Sequence, residues 1–92
     1  MSCKQRDAEY YLEEFENFSV KIPWDCFVYI LTIFFGFEMK SKSGSKRAFT
    51  NGTIVFTADE PHSKGDDYIY KYDRQRAIRA LKSIGLLRAN GA

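Results

Sequence analysis

Between Cys26 and Phe37 the chain runs through twelve residues interrupted only by Thr32 and Gly36. A bilayer span needs roughly 20 apolar residues, so this segment has to be buried inside a protein. It reads as a helix over about 23–35. Pro23 suits the first turn, Asp25 favours the positive end of the dipole, and Gly36 suits the left-handed position that ends a helix. Trp24, Phe27, Val28, Leu31, Phe34 and Phe35 recur at three- and four-residue spacing and predict the core face. Ile30 and Ile33 make the helix apolar on almost all sides, which calls for two covered faces. One candidate cover is the N-terminal segment, where Tyr11, Leu12, Phe15 and Phe18 fall on one side of a short helix at about 5–17 whose other side is acidic. The other candidate is a second protein.

After Gly36 the pattern changes from helical to alternating. Phe37 and Met39 stand against Glu38 and Lys40, Lys46 and Ala48 against Arg47 and Phe49, and Ile54 and Phe56 against Thr53, Val55 and Thr57. These runs predict three strands, and Asn51-Gly52 between the last two is a hairpin signal because both residues tolerate positive φ. Residues 59–71 carry turn formers and read as a loop, with a short extended piece at Tyr68–Tyr70. If extended, Tyr68, Tyr70 and Tyr72 lie on one side, a spacing for stacking on bases or for packing on the sheet, of which packing is the stronger expectation. Asp73 is expected to cap a final helix with Ala77, Ile78, Leu81 and Ile84 as its apolar stripe. Gly85 ends it, and Leu86 and Leu87 pack back over the last turn. The expected class is α+β, in the order α-α-β-β-β-α, with helices on one face of a three-stranded antiparallel sheet. The expectation is one domain over 1–92, with 1–22 as a helical extension of a 23–87 core.

Ninety-two residues suffice for one modest core, and 45% apolar residues with fifteen aromatics exclude a disordered tail. Cys3 and Cys26 sit far apart in unlike surroundings and read as free thiols of a reducing cytosol. Charges at Lys4, Arg6 and Asp7 precede any apolar run, which is not a secretory layout, so a cytoplasmic protein is expected. Neither a Gly-rich phosphate loop nor a carboxylate cluster of metal-binding type occurs, so no cofactor and no metal are expected.

Net charge is only +2, but it is unevenly distributed. Residues 1–22 set Lys4, Arg6 and Lys21 against five carboxylates, whereas residues 71–88 set Lys71, Arg74, Arg76, Arg79, Lys82 and Arg88 against Asp73 alone. The strand region adds Lys40, Lys42, Lys46 and Arg47. Such clustering is either a footprint for phosphate or a solvated face.

Ile22-Pro23-Trp24, the helix ending in Gly36-Phe37, Gly44-Ser45-Lys46-Arg47-Ala48-Phe49, Asn51-Gly52, Pro61-His62 and Leu81-Lys82-Ser83-Ile84-Gly85-Leu86 together resemble the HicA toxin family, in order, across about 9–87. The resemblance implies a double-stranded-RNA-binding-domain-like fold. It also implies a small metal-independent messenger-RNA endonuclease, acting as a monomer or in complex with a neutralising HicB-type antitoxin. In the best-known members a histidine follows Gly-Ser directly, whereas Lys46 stands there in this chain. A branch of the family with Gly-Ser-Arg and a Pro-His after the third strand is the better match, and it leaves His62 as the candidate catalytic residue.

RNA cleavage needs a base for the 2′-hydroxyl proton and cations for the charge that builds on phosphorus. An imidazole suits the first task at physiological pH, and His62 is the only histidine; Lys46 and Arg47 suit the second. Asp59 or Glu60 is an alternative base. Ser45, Lys46, Arg47, Lys42, Arg74, Arg76 and Arg79 are the expected RNA contacts. Each has a plainer alternative: a loop histidine without chemistry, edge-strand protection by Lys46 and Arg47, a turn shaped by Gly44 and Ser45. Alternation lets only one of Lys46 and Arg47 point away from the helices. Two functions from different classes stand at this point, a HicA-like ribonuclease toxin and a non-catalytic RNA-binding or protein-interaction module.

Overall fold

The computed structural model describes residues 3–61 and 67–86. The apolar segment forms helix α2, Trp24–Tyr29, which continues without a break as a π-helical turn, Ile30–Phe34. The change of winding shows in the local hydrogen bonds. Thr32 Oγ1 donates back to the Val28 carbonyl at 2.8 Å, and the Phe35 N–H reaches Ile30 O, five residues back, at 3.2 Å. Gly36 then takes φ +72° and the Phe37 N–H donates to Leu31 O at 2.9 Å, closing the helix end as the sequence predicts. Phe27, Ile30 and Leu31, at the i, i+3, i+4 spacing of one helix face, are fully buried. Val28, Phe34 and Phe35 are only half-buried, and Ile33 is exposed.

Three antiparallel strands follow, β1 Glu38–Ser41, β2 Lys46–Thr50 and β3 Val55–Asp59, in spatial order β1-β2-β3. The turn before β3 is longer than a two-residue hairpin. Asn51 Oδ1 accepts from the Thr53 and Ile54 N–H groups, and only Gly52 takes positive φ, so the strand starts at Val55 and not at Thr53. Register pairs Met39 with Phe49 and Phe49 with Phe56. Trp24 and Phe27 meet Phe49 edge-on, and Phe37 meets Phe56 likewise, so α2 covers this face of the sheet. The opposite face carries Lys40, Lys46, Ala48, Thr57 and Asp59.

The other side of α2 is covered by the chain's own N-terminus. Helix α1, Gln5–Glu13, packs there with Ala8 buried; it is shorter than the expected 5–17, so Phe15, which stacks on Phe27 at 6.1 Å, lies in the turn after it. Phe18, expected on the core side, stays exposed. A Cys3–Cys26 disulfide ties the start of α1 to α2 across 23 residues, which corrects the expectation of free thiols. The sequence distance concealed a contact that helix packing creates.

The last helix, α3, spans Lys71–Ser83. Asp73 is not its N-cap; that position is Tyr70, and its side chain makes no capping bond. Asp73 is instead buried in the first turn and accepts the Asp59 N–H through Oδ2 at 3.1 Å. Arg76 donates to Thr57 O and to Asp73 Oδ1. Together they satisfy two outward backbone groups of β3, the Thr57 carbonyl and the Asp59 N–H, on an edge strand that would otherwise offer them for pairing. Ahead of α3 the 67–70 segment pairs with 22–24: Trp24 N–H donates to Asp67 O and Ile69 N–H to Ile22 O. This is the short extended piece expected at Tyr68–Tyr70. Gly85 ends the helix at φ +78° as expected, but Leu86 remains exposed, and Leu87 and Arg88 lie outside the described residues.

Candidate nucleic-acid interface

The turn between β1 and β2 is held by its own backbone. Lys42 N–H donates to Lys46 O at 3.0 Å and Lys46 N–H to Ser43 O at 2.9 Å, with Gly44 at φ +57°. Gly44 and Ser45 therefore form the turn that the sequence suggested. Arg47, on the helix side of the sheet, folds back to donate to Gly44 O at 2.8 Å and pairs with Glu60 Oε1 at 3.0 Å. Its charge is thus already matched. Lys46 is exposed on the opposite face, directly across from Asp59, and Lys42 is exposed on the turn. One of the two neighbouring cations faces away from the helices, as alternation requires, and it is Lys46. His62 lies outside the described residues; the chain leaves for that segment from Pro61, next to Glu60, whose N–H donates to Ser45 O at 2.9 Å.

On α3 the three expected basic contacts, Arg74, Arg76 and Arg79, separate. Arg74 is only 3% exposed and is fully committed: Nε donates to Phe15 O, Nη1 to Val20 O, and Nη2 to the Glu14 and Asn17 carbonyls. Phe15 and Phe18 lie against its guanidinium, and burial pulls its pKa below the ordinary value. Arg74 is therefore a structural clamp on the 14–20 turn and cannot meet a phosphate, contrary to the expectation. Arg76 is half-exposed and tied to β3, Lys82 pairs with Glu16, and Arg79 stands exposed with no ion pair among the described residues. Lys71, which begins the helix, is likewise exposed and unpaired among them.

Two clefts lie on either side of the 67–70 segment. The larger, about 520 Å³, is lined by Asp7, Asp25, Glu60 and Asp67 with Tyr11, Trp24 and Tyr68 among its walls. Burial, and then Tyr10, Tyr68 and Asp7, push the Tyr11 hydroxyl above its ordinary pKa. The smaller, about 270 Å³, is bounded by Phe18, Lys21, Tyr68, Tyr70, Lys71 and Arg74. The tyrosines expected to pack on the sheet do not: Tyr68, Tyr70 and Tyr72 are 38%, 43% and 76% exposed. Tyr72 has joined α3, so the three do not share one side. Lys21 places its ammonium over Tyr68, 5.5 Å from the ring centre. Lys21 and Lys71 were not among the expected contacts, since no sequence pattern shows that 22–24 and 67–70 pair.

Among the described residues no group of His, Cys, Asp or Glu is arranged to hold a metal ion, and no helix is long and apolar enough to cross a membrane. No known protein family, curated protein or solved structure matches the chain.

Proposed function

We propose that this chain is a HicA-like RNA-binding protein, with a fold of the double-stranded-RNA-binding type, that acts as a metal-independent endoribonuclease toxin restrained by a HicB-type antitoxin. One observation carries the binding part. The cations Lys42, Lys46, Lys71 and Arg79 are exposed and have no acidic partner among the described residues, which is the condition for neutralising phosphates at little desolvation cost. The cleavage part assigns His62 to take the 2′-hydroxyl proton while the 2′-oxygen attacks phosphorus. Lys46 holds the charge that develops, and water protonates the departing 5′-oxygen. The hydrogen bond between Glu60 and Ser45 supports this, because it fixes the start of the His62 segment beside the Gly-Ser turn.

The ion pair between Arg47 and Glu60 favours a second reading, a module that holds RNA without cutting it, because it leaves Lys46 alone to stabilise a phosphorane. The proposed site of action is the cytoplasm, where a Cys3–Cys26 bridge is expected to open, so both redox states belong in the assay. The experiment is incubation with a structured messenger RNA in EDTA, with and without reductant, beside His62→Ala and Lys42→Ala/Lys46→Ala. Cleavage by the wild type and not by His62→Ala supports the nuclease. A salt-sensitive gel shift without cleavage, lost in the lysine variant, supports the binding module, and neither cleavage nor shift ends the RNA reading.

A further inference from the structure

We infer that the smaller cleft, between the 18–21 turn, the 67–70 segment and the first turn of α3, is a binding site for single-stranded RNA that takes one or two unpaired bases. The choice of RNA rests on the reading above; the site itself rests on three features of the cleft.

The first is its walls. Phe18, Tyr68 and Tyr70 are large rings left more than a third exposed around one depression, although burying such a ring is worth about 1.5–3 kcal/mol. Tyr70 immediately precedes α3 with its ring outward, and Phe18 is held in place by the Arg74 guanidinium beneath it, 5.0 Å from its centre. Flat, fixed, partly wet rings are what unstacked bases pack on, and duplexed bases cannot reach them.

The second is charge. Among the described residues, Lys21 and Lys71 stand at the cleft without an ion pair and no carboxylate lines it. Arg74 adds a third positive charge from below while its hydrogen bonds are spent on carbonyls.

The third is fixity. The cleft is built where two distant segments are locked together, by the Ile69 to Ile22 hydrogen bond at 2.9 Å and by the Arg74 clamp on 14–20. Its rings and cations are therefore pre-organised, which lowers the entropy lost on binding. The size agrees: about 270 Å³ is too small for a helix of a partner protein, and the open side lets a strand pass through.

The test is fluorescence anisotropy with a labelled oligouridylate and, separately, a blunt RNA duplex. The proteins are wild type, Tyr70→Ala, Tyr70→Phe, Lys21→Gln/Lys71→Gln and the hairpin variant Lys42→Ala/Lys46→Ala, each checked by thermal melting. Tyr70→Ala is expected to weaken oligouridylate binding roughly tenfold, in line with base–aromatic stacking, with Tyr70→Phe near wild type and duplex binding changed by less than about twofold. The double lysine variant should lower the salt slope on the single strand by about 1.4, at roughly 0.7 per lost phosphate contact. Unchanged oligouridylate binding in both cleft variants overturns the inference, and the hairpin variant then shows whether the RNA reading stands without it. Equal losses on single strand and duplex, or equal competition by oligoglutamate, also overturn it, because the cleft would then sense charge alone. Loss confined to the cleft variants, with the hairpin variant unaffected, upholds the cleft and removes the hairpin from the RNA reading. Failure of the wild type to bind either RNA removes both.

Discussion

The two clefts share a wall, Tyr68, and differ in almost everything else. The larger gathers Asp7, Asp25, Glu60 and Asp67 and lies beside the disulfide; the smaller gathers Lys21, Lys71 and Arg74 and lies beside exposed rings. Their charges do not follow the linear blocks of the chain. Lys21 belongs to the acidic N-terminal stretch yet serves the basic cleft, while Glu60 and Asp67, from the loop region, serve the acidic one. What separates them is the short pairing of 22–24 with 67–70, which places a strip of backbone between opposite fields. A charge block in a sequence becomes a site only after topology has sorted its members by direction.

The sharpest way to break this comparison is at Arg74, which borders the basic cleft but is assigned here to architecture. Replacing it by methionine strips donors from four buried or half-buried carbonyls. At about 1–3 kcal/mol for each acceptor left unsatisfied, and allowing for water entry, the expected loss is about 3–5 kcal/mol in urea unfolding. Arg74→Lys should recover only part, since one ammonium cannot serve the same fork. Unaltered stability with weakened RNA binding would make Arg74 a ligand contact after all.

The acidic side is broken by reduction. Closing a loop of 23 residues in sequence separation constrains the unfolded chain by about 3 kcal/mol, so dithiothreitol, or Cys3→Ser/Cys26→Ser, should lower stability by about that amount. Single-stranded RNA binding should stay within about twofold, because the Arg74 clamp, and not the disulfide, holds the 14–20 turn. A smaller effect is expected from Asp7→Asn/Asp67→Asn: RNA affinity should rise about twofold at low salt and the gain should vanish near 0.5 M salt, where screening is nearly complete over the width of the molecule.

The smallest effect is at Tyr11. Its folded-state pKa is raised, so the folded protein holds the phenolic proton more tightly than the unfolded chain does. The contribution is constant below the unfolded-state value near 10 and is lost as pH rises from there through the folded value. Urea midpoints of Tyr11→Phe should therefore fall less steeply above about pH 10 than those of the wild type, and parallel curves would remove the burial argument.

Much of the fold is legible in the chain. Period and caps mark the apolar helix, its end at Gly36, the three strands, the final helix and its stop at Gly85, because each depends on neighbours a few residues away. The need for two covered faces on the apolar helix is also legible, and α1 and the sheet supply them. The π turn is not, since no period or cap in the sequence marks the change from four- to five-residue hydrogen bonding. The site is legible only in part. Exposure of Lys46 follows from strand alternation, but Arg47 is drawn into its pair with Glu60, and the tyrosines are turned outward by the pairing of their segment with Ile22 and Trp24.

The sequence alone determined which stretches are helix or strand, the stops at Gly36 and Gly85, and that cations outnumber acids towards the C-terminus, since backbone preference and charge are properties of residues and near neighbours. Tertiary structure alone decided that Cys3 meets Cys26, that Asp73 serves the edge of β3, that Arg74 is a clamp while Arg79 has no ion pair among the described residues, and that Lys21 and Lys71 share a cleft. Those outcomes depend on contacts between residues as many as 60 positions apart, and at such distances packing geometry, which no local pattern encodes, selects the partner.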